Sequence, residues 1–421
     1  MPVATKSAAK PKAKPPAPVA EKLHAPPEAP TLAAWLFPTY LGVIFLGYAL
    51  LRVPSATAAG EELGTIRALF WSVNAATLTG FPMSTGVDQL RPFGEAVMFA
   101  LMLCGSLFSL IIGGTAVSRI LRLGYSDMKI AVASMAAMLV AMTLGGLVLL
   151  LDQSRGVFQA VFLAASAFGN GGLLLGSLPP ATSWFSQIVL LPLITIGGLG
   201  ICVVLELIDL LRAARSSLSA HAQAALGGTA AIYVAGTAAL LAIGLWSPHE
   251  RDLRGLLAQS AAVTVVSRTA GMGLVNYSQL TRPAIWLVML MMAAGACSGG
   301  TAGGVKLTTL HEIFRGVRRL LIGQPIGRAF AIALAWVGGY LLLVLAAVIL
   351  LSHQMPEMAG DQILFDAISA ASNVGAAPAP LDPDPGTAFA LVATMLVGRF
   401  APLMFIWWMA DTTRDADLAV A

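Results

Sequence analysis

Charge is scarce in this chain. Of 421 residues, 25 are Lys or Arg and 21 are Asp or Glu, while 57% are hydrophobic. A globular surface in water carries about a quarter charged residues, so a soluble fold is excluded and the composition is that of a polytopic membrane protein. Cysteine is scarce too. Cys104, Cys202 and Cys297 are odd in number, far apart and set in apolar segments. That excludes a disulfide framework and a thiolate metal site, and leaves small buried hydrophobes. The five histidines form no pair at helical metal spacing. HExxH, GxSxG and CxxC are all missing, as is any polar cluster that could serve catalysis, so an enzyme is not expected. No basic face or stacking motif is visible, which argues against nucleic acid as a partner.

Long apolar runs are what the chain does have. They fall near 33–52, 93–117, 129–151, 184–211, 227–247, 283–297, 328–352 and 387–409, and each approaches the roughly 20 residues that cross a bilayer core. Between the members of each successive pair lies a shorter, milder segment ending in glycine: ALFWSVNAATLTGF, FQAVFLAASAFGNGGL, LLAQSAAVTVVSRTAGM and LFDAISAASNVGAA. These are too short to span and suit half-helices that enter the membrane and turn back. The expected fold is therefore all-α and polytopic, with four pseudo-symmetric repeats of helix, pore half-helix and helix around a central pore. Residues 31–125, 126–215, 216–325 and 326–421 form the repeats, the last with a short cytosolic tail. Residues 1–30, rich in Ala, Pro and Lys, are expected to be a disordered cytosolic tail.

Lys and Arg set the orientation. Arg119, Arg122, Lys129, Arg212, Arg215, Arg315, Arg318, Arg319 and Arg328 crowd the connections on one side, which the tails join. Fewer lie opposite: Arg52, Arg67, Arg91, Arg155, Arg251, Arg254 and Arg282. By the positive-inside bias both termini are cytosolic and the glycine turns lie in the outer half of the membrane.

The turns at Gly80, Gly172, Gly271 and Gly375 are about 90 to 105 residues apart. Irregular backbone at membrane depth is tolerated only inside protein or beside a wet cavity. Four such turns in matching positions argue for one shared pore, lined by backbone carbonyls that replace the water shell of a monovalent cation. The candidate ion-binding residues are Thr77, Thr79 and Gly80; Asn170, Gly171 and Gly172; Thr269, Ala270 and Gly271; and Asn373, Val374 and Gly375. No ring of carboxylates accompanies them, which favours a large, weakly hydrated cation.

One further glycine cluster interrupts the sixth apolar run. SGGTAGGVK comprises Ser298, Gly299, Gly300, Thr301, Ala302, Gly303, Gly304 and Lys306, with Val305 between the last two. It is expected to unwind the helix into a loop below the pore turns that obstructs the cavity and gates it. A phosphate-binding loop is excluded, because the lysine does not adjoin the last glycine and no strand precedes it. Arg399 is an ionisable residue inside the last apolar run, where such a residue faces a cavity or a partner. It is expected to donate hydrogen bonds to loop carbonyls near Gly299–Gly303 and to repel cations when the gate is shut. Lys306 is expected at the cytosolic end of the loop, and Arg268 as a buttress of the third pore turn.

TLTGF at 77–81, SAFGNGG at 166–172, VSRTAG at 266–271, ISAASNVG at 368–375, GGTAGGVK at 299–306 and VGRFAPL at 397–403 together resemble the Trk/Ktr/HKT superfamily of potassium transporters. The likeness is to its eight-helix, Ktr-like membrane subunit and covers residues 33 to 410. It implies that the four glycines favour potassium over sodium, with Gly80 standing where serine makes some members sodium-permeable. It also implies an intramembrane gating loop, a homodimer in the cell membrane, and a cytosolic RCK-type ring of nucleotide-binding regulatory domains. ATP, ADP or NAD(H) would then act only through that partner, with no cofactor bound covalently here. The chain departs from the family pattern at Asn276, where an Asp is common, in GACSGGTAGG, which lacks a proline, and in the Ala/Pro-rich AAPAPLDPDPG. A sodium- or proton-coupled secondary cation transporter is the alternative. It would need an acidic residue at mid-membrane, and the only candidates in view, Glu206 and Asp209, lie toward the cytosolic end of the fourth apolar run.

Overall fold

The computed structural model describes residues 32–57, 63–84, 86–246 and 252–415. The 1–30 segment read as a tail lies outside them. The described residues are helical, with three isolated β-bridges and no strand.

The order of elements is helix, short helix, helix, four times. The first set is α1 (Leu32–Leu51), α2 (Thr65–Ala76) and α3 (Pro92–Ile120). The second is α4 (Asp127–Leu149) and α5 (Val157–Gly169), followed by a span broken into α6 (Phe185–Leu199) and α7 (Ile201–Leu211). The third is α8 (Ala220–Trp246), α9 (Leu253–Thr269) and α10 (Arg282–Ala293), after which an irregular segment leads to α11 (Leu307–Leu321). The fourth is α12 (Arg328–Gln354), α13 (Gly360–Ala371) and α14 (Pro385–Asp415).

Local sequence explains the starts and stops. Ser126 caps α4 by accepting from Lys129 N at 3.2 Å, and Asp252 caps α9 by accepting from Arg254 N at 3.1 Å. Proline stands in the first turn of α3 and α10, where no intrahelical donor is lost. The short helices α2, α5, α9 and α13 have 12, 13, 17 and 12 residues. At about 1.5 Å per residue none reaches across a bilayer core of about 30 Å. Most of their residues, those of the carboxyl-terminal turns above all, are nonetheless buried, so these ends lie inside a ring of longer helices.

Among the described residues, five helices are long and apolar enough to span a membrane: α3, α4, α8, α12 and α14. The pair α6–α7 counts as a sixth despite a 101° bend. Two of the eight expected spans differ from the sequence reading. The run 184–211 is not one straight span: Gly200, at φ 89° and ψ 151°, ends α6 and turns α7 aside. The run 283–297 is helical only to Ala293, because the glycines that follow cannot sustain a helix. Within the sets, the second spans face inward and the first spans outward. Buried residues make up 61% of the apolar window of α3 and 56% of that of α14, against 17% for both α8 and α12.

The inner spans approach the short helices closely. A Cβ on Gly105 of α3 would strike the Ala76 carbonyl at the end of α2 and lie 3.1 Å from the Tyr40 hydroxyl, which itself donates to that carbonyl. Gly105→Val should therefore overpack the α1–α2–α3 junction at a cost of about 1–3 kcal/mol. It should lower the thermal unfolding midpoint in detergent, whereas Gly42→Val, with nothing within 4 Å, should leave it unchanged.

Candidate permeation site

The four short helices deliver four glycine turns to one place. Gly80, Gly172, Gly271 and Gly375 all have left-handed backbone, with φ of 76°, 65°, 53° and 74°. Their neighbours close a ring. A Cβ on Gly80 would lie 2.5 Å from Gly172 Cα, and one on Gly172 would lie 2.5 Å from the Ala270 carbonyl oxygen. One on Gly271 would lie 2.9 Å from Ala376 N, and one on Gly375 would lie 2.7 Å from the Gly80 carbonyl carbon. The contacts run from the first turn to the second, third, fourth and back to the first. A side chain at any of the four positions would force the backbone of a neighbouring turn to shift, besides taking a conformation that favours glycine. The carboxyl ends of four half-helices converge here, and their dipoles add partial negative charge. Above the ring is an open mouth of about 430 Å³, lined by Gly80, Gly172 and Gly271 with Trp71, Asn276 and Pro378.

Three of the turns share a brace. Asn74 donates to the Phe81 carbonyl at 3.1 Å, Ser166 to the Leu173 carbonyl at 2.7 Å, and Ser369 to the Ala376 carbonyl at 2.7 Å. Each donor stands six residues before its glycine and grips the residue just after it. In the same three turns a left-handed residue lies two positions before the glycine: Leu78, Asn170 and Asn373. The third turn has neither feature. Val265 occupies the bracing position and has no side-chain donor, and the Met272 carbonyl accepts instead from Leu274 N at 2.7 Å. The braces were missed in the sequence, although their constant six-residue spacing could have shown them.

The side chains of the expected ion-binding residues mostly hold the ring together. Thr77 and Thr79 share a hydroxyl–hydroxyl contact of 2.7 Å, and Thr77 also donates to the Val73 carbonyl. Asn373 donates to Thr79 Oγ1 at 3.1 Å and to the Met395 carbonyl at 2.9 Å, tying the fourth turn to the first. Asn170 donates downward to Thr301 Oγ1 at 2.7 Å. The Oδ1 atoms of Asn170 and Asn373 are buried and accept no hydrogen bond among the described residues. Thr269 is the last residue of α9; its side chain lies outside the described set.

Residues 294–306 cross beneath the ring. Because Gly200 ends α6, the Gly197 and Gly198 carbonyls lose their helical partners; they accept from Thr301 N at 3.2 Å and Cys297 N at 3.1 Å. The segment is closed on itself by Val305 N donating to the Ala293 carbonyl at 3.0 Å, and by a hydroxyl contact of 2.8 Å between Ser298 and Thr308. Gly299 presses on α3, where a Cβ on Gly113 would meet it at 2.8 Å; Gly303 would meet the Asn373 side chain at 3.1 Å if it bore a Cβ. The loop thus touches the first, second and fourth sets of helices.

Arg399 joins this loop to the ring. Its Nε donates to the Thr77 carbonyl at 2.8 Å, its Nη2 donates to the same oxygen, and its Nη1 donates to the Thr301 carbonyl at 2.5 Å. Lys306 is buried and donates to the Ala302 carbonyl rather than reaching out to water. Arg268 donates to the Gly295 carbonyl at 3.3 Å, so it ties the third half-helix to the start of the loop rather than to the ring itself. Glu206 is buried midway along α7, where it accepts from Ser219 N at 2.8 Å and pairs with Arg215 at 2.7 Å. Asp209 nearby accepts from the Tyr125 hydroxyl at 2.8 Å; burial first, and then this bond, push the Tyr125 phenol above its ordinary pKa. One buried acid escaped the sequence reading: Asp366 of α13 is 6% exposed, and its Oδ1 has no hydrogen-bond partner among the described residues. No group of His, Cys, Asp and Glu able to hold a metal ion occurs among the described residues.

The Cation transport protein family, TrkH, matches residues 255–378. The potassium/sodium uptake protein NtpJ of Enterococcus hirae is 27% identical over 79% of this chain and 82% of its own length. The Ktr system potassium uptake protein B of Bacillus subtilis is 26% identical over 88% and 91%. The crystal structure of the potassium transporter TrkH from Vibrio parahaemolyticus has the same fold, with a TM-score of 0.67, 16% identity, and coverage of 90% of this chain and 85% of that one. The chain is thus similar to membrane subunits of the Trk/Ktr superfamily. The relatives are named as uptake proteins, not enzymes, and the several apolar helices of this chain make it a multi-pass membrane protein.

Arg399→Gln should leave carbonyls of Thr77 and Thr301 short of donors deep inside the protein. Each unmade bond costs about 1–3 kcal/mol. The variant should unfold at a lower temperature in detergent, and Arg399→Lys, a point charge without the planar fork, should restore only part of the loss.

Proposed function

We propose that this protein carries potassium ions into the cell across the plasma membrane, with both termini in the cytosol. The ions pass through the ring of glycine turns, and the loop at 298–306 gates them. The closed four-membered ring carries this reading. Its carbonyls stand in for the hydration shell of one alkali ion, and the four turns themselves carry no carboxylate to favour a divalent one; Asp88 lies further out, in the wall of the mouth. Four repeats at 31–125, 126–215, 216–325 and 326–421 would each supply one quarter. The names of the relatives, a potassium/sodium uptake protein and a potassium uptake protein, support potassium as the cargo. The membrane potential suffices to drive the ion: one charge falling through 100 mV gains about 2.3 kcal/mol, or roughly fifty-fold accumulation.

Arg399 supports the gate reading. It places a fixed positive charge between the Thr77 carbonyl and the loop, where it both repels cations and keeps the loop across the path. A homodimer resting on an RCK-type ring would regulate the gate, with ATP, ADP or NAD(H) bound by that partner. α11 suits such docking, since Arg315, Arg318 and Arg319 alternate with exposed Phe314, Leu320 and Leu321 just after the loop.

Rubidium uptake by liposomes holding the purified protein tests the assignment. Uptake should saturate and resist excess sodium, and Gly80→Ser should raise sodium competition several-fold; equal sodium competition in both proteins would refute the filter. Deleting 298–304 should increase rubidium flux several-fold in a folded protein, and unchanged flux there would remove the gate role. Sodium or proton coupling has one observation in its favour, the unpaired carboxylate of Asp366. If transport is coupled there, Asp366→Asn should abolish uptake driven by an imposed sodium or proton gradient and spare uptake driven by potential alone.

A further inference from the structure

A second cavity lies away from the conduction path, between α6, α8 and α9. It measures about 410 Å³ and is lined mainly by apolar side chains, among them Ile194, Leu226 and Val265. Its outer rim consists of Ile196, Ala230 and Tyr233, all exposed on the membrane-facing side of the helices. Its inner end is Arg268. That side chain is only 6% exposed, and its Nε has no hydrogen-bond partner among the described residues. Its hydrogen bond to the Gly295 carbonyl is long at 3.3 Å. Carboxylates pair with Arg67, Arg119, Lys129, Arg155, Arg215 and Arg315 among the described residues, but none pairs with Arg268.

A guanidinium held in a low-dielectric interior without a counter-charge is costly. Arginine also offers its donors in a planar fork matched to a carboxylate. The remaining walls reward an apolar chain. Cavities of this size, mainly apolar with a few polar groups such as Thr229, Thr264 and the one cation Arg268, are typical ligand sites. We propose that this pocket binds a long-chain fatty acid from the bilayer, its carboxylate accepting from Arg268 and its alkyl chain running outward past Leu226 to the rim at Ala230. A phospholipid head with its zwitterion or its two chains suits a pocket of about 410 Å³ with a single cation less well than one carboxylate on one chain.

The pocket touches both parts of the conduction machinery. Val265 and Arg268 lie on the third half-helix, the one without a brace. Ala296 begins the loop, and Gly198 holds Cys297 through its carbonyl. A bound fatty acid would therefore pack behind the ring and against the base of the loop at once, and would alter flux; this part rests on the conduction reading, whereas binding does not.

The test uses the full chain in phosphatidylcholine nanodiscs, photolabelled with a diazirine-bearing palmitate. Label should map to the 187–199, 226–233 and 264–268 segments. Excess oleate should remove it, and oleyl alcohol, which lacks the charge, should not. Arg268→Gln should cut labelling at least fivefold. Ala230→Trp, which fills the rim without touching the ring or the loop, should do the same in a protein that still takes up rubidium. Label spread evenly over the outer faces of α8 and α12, or indifferent to Ala230→Trp, overturns the site. Equal competition by oleyl alcohol overturns the carboxylate assignment, as does labelling displaced only by phosphatidylglycerol. Specific labelling in a protein that moves no rubidium would uphold the pocket and count against the conduction reading alone.

Discussion

Four short helices must end at the same point with their backbones in a conformation that only glycine adopts easily, and with no room there for a single methyl group. Most other features follow from that constraint. The short helices have to be buried, so longer helices surround them. Their carbonyls cannot continue a helix, so side chains from one turn earlier reach forward to hold them in place at Asn74, Ser166 and Ser369. Because each turn leans on the next, the ring is cooperative: disturbing one quarter removes the support of its neighbour.

The region below the ring solves a second problem of unsatisfied backbone. Residues 294–306 could not lie inside a membrane as bare irregular chain. Two interruptions compensate each other. α6 stops at Gly200 and exposes the Gly197 and Gly198 carbonyls, and the loop arrives with free N–H groups at Cys297 and Thr301. Neither break would be tolerable alone. Arg399 completes the arrangement from α14 by capping one carbonyl of the ring and one of the loop with a single side chain. A loop held by a few backbone bonds, made of small residues and packed against glycines on α3, has little side-chain bulk to lock it.

Much of this could be read from the sequence because the signals were compositional and repeated. Apolar runs of spanning length, glycine at matching intervals, and one arginine in an apolar run pointed to the architecture and to Arg399. What could not be read depended on partners distant in the chain. Nothing in GGLG at 197–200 says that those carbonyls receive N–H groups from residues a hundred positions later. Lys306 looks like a residue that would reach for water, yet the fold buries it against its own loop. Arg268, read as a buttress of the ring, holds the loop segment instead, since its direction is set by how α9 packs. Asp366 was overlooked because a single acid in a mildly polar segment looks ordinary until its surroundings are known to be dry.

The missing brace at Val265 makes the ring unequal. Three quarters are stayed like masts, while the remaining quarter rests on its neighbours and on a local turn at Met272. Any outward push from inside the ring will therefore be absorbed on one side, not shared around it. That compliant quarter is also the one whose half-helix grips the loop segment through Arg268. A ring built this way stretches along a single direction, and whatever stretches it tugs on the loop beneath.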